Sequence, residues 1–343
     1  MRILIISLLL TSLNLIACKN GDTTNEPLVM AKTGGRWGYI DSKGNWIISP
    51  RYDFNGNYSF DTNFSEGLAP ILSDEKYGYI DKTGEFAIPP QFDNASSFSE
   101  GRAEIRMNGK LGFIDKQGEI VIQPQFDRAY QFYDGLAPVR INKKWGYIDK
   151  DGEMVIQPQF DKAFCFISEG LAPICLDRKW GHINKDGEMI IQPQFDYAGP
   201  FSEGLAFIKK NGNFGFIDKQ GEIVIQPQFS QAYNFSEGLA AVQKDEKWGF
   251  IDKTGKMVIE PQFDDAWSFS KGLAHISKID PFSSNYKHGF IDKTGTIVIQ
   301  PLYNNIKTKQ DILFVKVAEK WGIIDKDGNY IAVPQFDKIE NDM

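Results

Sequence analysis

The chain has 343 residues, 42% of them hydrophobic and 13% aromatic, and a formal net charge of -7. An acidic balance of this kind repels a phosphate backbone and excludes nucleic acid as a partner class. Past the first residues, no segment approaches the roughly 20 apolar residues that a membrane-spanning helix needs.

The chain opens with positive Arg2, then the apolar run Ile-Leu-Ile-Ile-Ser-Leu-Leu-Leu over residues 3–10, then Leu15-Ile16-Ala17-Cys18. This order fits an export signal and is too short for a spanning helix. Leu-Ile-Ala-Cys resembles the bacterial lipobox, whose cysteine becomes the lipid-bearing first residue after cleavage. Residues 1–17 are therefore expected to be a lipoprotein signal peptide and Cys18 the lipidation site. A plain secretory signal with an incidental Cys18 is the alternative. Residues 18–27 then form a polar, flexible tether. Cleavage removes Arg2 and moves the formal charge from -7 to about -8. Several acyl chains on one cysteine hold a protein stably to a membrane, which a single chain does not. The expected address is the bacterial cell envelope, on the outer membrane, facing the periplasm or the surface.

From residue 28 to 343 one unit is written nine times. Its mark is an aromatic-Gly pair: Trp37-Gly38, Tyr77-Gly78, Leu111-Gly112 (an aliphatic stand-in), Trp145-Gly146, Trp180-Gly181, Phe214-Gly215, Trp248-Gly249, His288-Gly289 and Trp321-Gly322. The glycines are spaced 40, 34, 34, 35, 34, 34, 40 and 33 residues apart. A fixed period of this size means a repeat architecture whose units bury their apolar faces on one another. Short β-branched and aromatic runs bounded by turn residues predict an all-β array of three-stranded units. In the best-behaved copy the first strand is Trp145–Asp149. Asp149-Lys150-Asp151-Gly152 is a hairpin turn. The second strand is the Val155-Ile156 run, halted by Pro158. Gln159-Phe160-Asp161 leads into an irregular or 3₁₀ corner, and the third strand follows Ser168-Glu169-Gly170. Gly146 is expected to let an aromatic ring from an adjacent coil lie over the backbone.

Lys144-Trp145-Gly146-Tyr147-Ile148-Asp149 and Ile156-Gln157-Pro158-Gln159-Phe160-Asp161, with their echoes, closely resemble the bacterial WG-repeat (KWG-repeat) family over about residues 28–340. The resemblance implies a binding or scaffold module and supplies no catalytic residues. The expected fold is an open or curved solenoid of stacked repeats, with a propeller-like closed ring as the alternative. The ring stays open as a possibility because the array starts in a third-strand-like segment, residues 28–33, and ends just past a second strand, Val333-Pro334. Two units are lengthened, near residues 55–63 and near 280–286. The eighth is degraded, with Leu302-Tyr303-Asn304-Asn305-Ile306 in the corner and Asp311 near an expected glycine, as a stack-capping unit would be.

Chemistry is sparse. His182 and His288 occupy aromatic places, and no metal-binding histidine spacing is present, so no metal and no cofactor is expected. Asp149-x-Asp151-Gly152, Asn184-x-Asp186-Gly187 and Asp325-x-Asp327-Gly328 resemble calcium-loop fragments but lack the later ligands, so plain hairpins are expected. Glu66, Glu100, Glu169, Glu203 and Glu237 recur too evenly to form one special catalytic pair. Cys165 and Cys175 are expected as free thiols, although an exported protein permits a disulfide between them. Trp46 and Trp267 fall outside the repeated aromatic place. With Tyr58 and Phe60 in the first insertion and Phe282 and Tyr286 in the second, they are the candidate binding residues. The resulting expectation is a non-enzymatic, membrane-anchored scaffold for a protein partner, with a glycan or cell-wall binding module as the alternative.

Overall fold

A computed structural model describes residues 27–52, 62–167, 169–309 and 311–339. The described strands form nine antiparallel sheets, eight with four strands and one with three. In the fourth sheet the strands are Arg128–Ala129, Ala137–Ile141, Lys144–Ile148 and Met154–Phe160, adjacent in space as in sequence. Each sheet is thus a meander whose middle strands carry the apolar runs.

The expected three strands per unit become four. The corner after Gln-Phe-Asp is a two-residue strand. Lys162–Ala163 pairs forward with the next sheet, Lys162 opposite Cys175 and Ala163 opposite Ile174. Two residues are too few to carry a period-2 signal. The repeat that begins at Trp145 takes the last two strands of one sheet and the first two of the next, so sequence repeat and structural blade are offset by two strands. The proline does not end the second strand either. Met154–Phe160 runs through Pro158 as a bulge: Tyr147 faces Ile156 and Trp145 faces Phe160. One residue on one strand, Gly146, is therefore spanned by three on its neighbour, Gln157-Pro158-Gln159. Proline is tolerated at a bulge because no ladder donor is needed there.

This bulge explains the glycine. A Cβ on Gly146 would collide with the carbonyl of Ile156 and stand 2.7 Å from the nitrogen of Pro158. The same backbone closes on the glycine of every blade. The close approach comes from the adjacent strand of the same sheet, and the expected aromatic ring from a neighbouring coil is not its cause. Glycine, proline and the spacing between them form one device.

The array closes. Val29–Thr33 in the first sheet pairs with Lys338–Ile339 from the other end of the chain, Ala31 opposite Ile339 and Lys32 opposite Lys338. Asp337 donates its backbone N–H to the carbonyl of Lys32 at 2.8 Å. Val29, Ala31 and Ile40 share one apolar cluster with Phe314, Trp321, Phe336 and Ile339. The fold is a closed β-propeller of nine blades, the alternative of the two expected architectures. The solenoid gives way because both free edges are consumed at this seam, and with no exposed end no unit needs to cap the stack.

The core lies between blades. Trp145, Tyr147, Ile156 and Phe160 of blade 4 cluster with Ala163, Phe166, Ala172, Ile174 and Ile183 of blade 5. Equivalent clusters fill the other junctions. The aromatic before glycine is buried in most blades and half-buried at Trp37 and His288. Packing each blade on the next, and not within its own single layer, is what the amphipathic sheets require.

Polar side chains fasten the two ends of the blades differently. At one end, Ser-Glu-Gly is a tight hairpin turn with both central residues at positive φ: Glu237 at 54° and Gly238 at 89°. Such a pair fits a type I′ turn. The carboxylate of Glu237 accepts from the N–H of Gly272 at 2.9 Å and meets Lys293 Nζ at 3.0 Å, both in the next blade. Glu66, Glu100, Glu169 and Glu203 do the same with Lys116, Lys150, Lys219 and Lys253. Between blades 8 and 9 the charges are exchanged, Lys271 to Asp311 at 2.7 Å. At the other end, the aspartate of Gln-Phe-Asp bridges blades. Asp161 accepts from Lys144 Nζ at 2.6 Å and from the N–H of Asp177, in the next blade's hairpin, at 2.9 Å.

Candidate functional site

The residues that define the repeat are occupied by the fold. Each hairpin aspartate accepts backbone N–H groups; Asp149 Oδ1 takes those of Asp151 at 3.0 Å and Glu153 at 2.9 Å. The recurrent glutamates hold neighbouring blades. Tyr147 donates its hydroxyl to the carbonyl of Phe164 at 2.8 Å in the next blade. His182 stands in the same place and reaches the carbonyl of Gly199 at 2.8 Å through Nε2. Burial pushes its pKa down to about 4, so it is neutral and donates as the tyrosine does. Cys165 and Cys175 are free and buried. Burial pushes both thiols up, which suits inert packing groups.

Blade 8 departs from this pattern. His288 fills the aromatic place, and His275 sits on the adjacent strand, opposite Phe290. His275 Nε2 lies 3.0 Å from His288 Nδ1. Trp267 stacks on His275 with ring centroids 4.0 Å apart and 8° between planes. Burial first, then the neighbouring imidazole, holds His275 down to about 3. Burial also lowers His288, helped by Lys287. Two neutral rings so placed share one N–H···N bond, one donating and the other accepting. Among the described residues no group of three or more His, Cys, Asp or Glu gathers to hold a metal.

The same blade carries the second insertion, in the hairpin between Leu273–Ile279 and Tyr286–Asp292. Asp280 organises it. Its carboxylate accepts the N–H of Phe282 at 2.9 Å and the hydroxyl of Ser283 at 2.8 Å, and its carbonyl accepts the N–H of Ser284 at 2.9 Å. These bonds hold the carboxyl below the ordinary aspartate range. The loop presents Phe282 with 97% of its surface exposed and Tyr286 with 51%.

The candidate binding residues separate accordingly. Phe282 and Tyr286 are exposed on blade 8, and Trp267 is half-buried in that blade's aromatic stack. Trp46 is half-buried at the ring seam, its ring edge-on to Phe336 at 5.7 Å. Tyr58, Phe60 and Cys18 lie outside the described residues. The sequence singles out Trp267 and places His288 as an aromatic substitute but gives His275 no role, so it does not bring the three together. The thirteen-residue spacing of His275 and His288 across one hairpin was the available signal.

Comparison with known proteins places the fold. A crystal structure described as a eukaryotic initiation factor aligns with TM-score 0.64 and 8% identity over 93% of this chain and 98% of that one. The computationally designed Ika8 protein aligns with TM-score 0.46 and 12% identity, over 78% of this chain and 93% of its own. Apo AztD from Citrobacter koseri aligns with TM-score 0.40 and 12% identity, over 80% and 94%. The first shares the overall fold; the other two overlap too loosely to add to it. Among curated proteins no relative matches. The WG containing repeat family matches nine consecutive segments: residues 37–77, 77–110, 112–145, 145–180, 180–214, 214–248, 248–278, 289–321 and 321–342. These segments tile the propeller, each spanning the junction between two successive blades, and the chain belongs to the WG containing repeat family.

Proposed function

We propose that the protein is a non-enzymatic scaffold, held at the bacterial cell envelope by lipid on Cys18, that engages a protein partner through the blade 8 hairpin. The observation that carries this is the loop of residues 280–286. It is braced by Asp280 yet leaves Phe282 almost wholly in water beside exposed Tyr286 and Ile279. A braced loop loses little conformational freedom on binding, and aromatic anchors supply most of the energy at such contacts. The repeated glutamates of the Ser-Glu-Gly turns are committed to lysines of neighbouring blades, which suits a structural role for them.

The test is comparative capture from envelope extract with the full chain and with Phe282→Ala/Tyr286→Ala. One or more proteins retained by the parent and lost with the double variant are expected, since exposed anchors contribute to binding without holding the fold. Identical capture by both would remove the hairpin from the interface. Quenching of tryptophan fluorescence by an oligosaccharide would favour the glycan alternative. Radiolabelled fatty acid on the parent, and none on Cys18→Ala, is expected for the anchor.

A further inference from the structure

Blade 3 is the one blade in which the residue before glycine is aliphatic, Leu111. In blade 4 the corresponding Trp145 fills its place, with Tyr130 stacked on it at 5.0 Å and the Arg140 guanidinium 5.9 Å from its ring. Leucine is much the smaller side chain. Where it stands, between blades 3 and 4, there is a cleft of about 360 Å³. Leu111, Glu104 and Arg106 line it from blade 3, and Arg128, Tyr130 and Arg140 from blade 4.

The charge in this cleft is unbalanced. Among the described residues none of the three guanidinium groups is in an ion pair with a carboxylate. Arg128 and Arg140 stand directly opposite one another on paired strands, an arrangement that destabilises a sheet when nothing lies between the charges. The Nε of Arg140 is buried without a hydrogen-bond partner, and buried donors are rarely left so. Asp127, which also lines the cleft, is engaged by Lys110 at 2.6 Å and by the N–H of Asn142 at 3.1 Å. Glu104 does not neutralise the group fully. Burial, opposed by Arg106, pushes its carboxyl up to about 7, so near neutrality it also offers an O–H donor.

We propose that this cleft binds a small molecule through an oxyanion, a phosphate or carboxylate group, held by Arg106, Arg128 and Arg140. Guanidinium groups suit this task because their planar donor forks match such oxygens two at a time. The volume is that of a small-ligand site. Tyr130 offers a ring to the rest of the ligand. The site is separate from the blade 8 hairpin and stands whether or not that hairpin docks a protein.

Isothermal titration of the full chain with inorganic phosphate, and separately with succinate, tests it. At least one probe is expected to bind. Phosphate alone assigns a phosphoryl ligand, and succinate alone a carboxylate. Arg128→Gln, at an exposed position, is expected to weaken binding at least about tenfold, the loss of one charge-assisted bond. Leu111→Trp restores the residue found in five other blades, so it is expected to keep the melting temperature while filling the cleft and abolishing binding. If the parent binds neither probe, or both variants bind as the parent does, the proposal is overturned.

Discussion

At the scale of single residues, the glycine of the aromatic-Gly pair answers to a steric demand that one substitution isolates. Gly146 is not in the left-handed region, so an added methyl meets backbone and nothing else changes. Gly146→Ala is expected to cost about 1–3 kcal/mol or more, as overpacking does where the neighbour cannot move. Gly135→Ala supplies the contrast: it has open space around its missing Cβ but φ of 86°, and its cost is the strain of that φ alone, of order 1 kcal/mol. Thermal unfolding of the two variants checks this, and an unchanged melting temperature for Gly146→Ala would remove the bulge as the reason for the motif. That a glycine was required could be read from its recurrence. Its cause could not, because a bulge of three residues over one leaves the hydrophobic pattern on both sides intact. Likewise the recurrence of Glu237 and its equivalents argued against catalysis, while the blade-to-blade bond they make depends on a partner some 35 residues away.

Between elements, the clamp at the Ser-Glu-Gly turns is electrostatic and should respond to pH. Burial alone would raise Glu237; Lys293 and the N–H of Gly272 outweigh it and bring the carboxyl below the ordinary glutamate value. A carboxylate lowered on folding adds stability that is present above its unfolded pKa and lost as pH falls through the folded one. Glu237→Gln is therefore expected to lower stability at neutral pH by less than about 1 kcal/mol, because the pair is partly screened by solvent. The difference from the parent should vanish in acid. Melting curves of both proteins from pH 7 to pH 3 would show it, and a constant gap across that range would rule out the charge as the source. The element boundaries were only partly legible. Apolar runs placed the three longer strands of each blade, whereas the two-residue strand at Lys162–Ala163 exists only because the next blade offers it an edge. In blade 9, where the Phe-Ser-Glu-Gly loop is missing, that strand lengthens to Asn305–Lys309. The degraded corner read as a cap is a longer hairpin.

For the whole molecule, a repeat of about 34 residues fixes what each unit does to its neighbour and leaves the sum of nine rotations undetermined. A small change in angle per unit separates a rod from a ring. What decides here is the offset of the chain ends, which leaves Val29–Thr33 without an edge partner until Lys338–Ile339 arrives. Among the described residues the blade 3 cleft and the blade 8 hairpin both depart from the repeat, the first by a smaller side chain and the second by a longer loop. The longer loop of blade 8 is legible as one of the two 40-residue spacings; Leu111 reads only as an aliphatic stand-in because its consequence lies across the junction with blade 4. Closure itself is open to direct measurement. Small-angle scattering of the full chain in solution should give the compact profile of a disc, with a narrow, single-peaked distribution of interatomic distances. An elongated profile with a long distance tail would mean that the ends do not meet and that the blades stack as an open array.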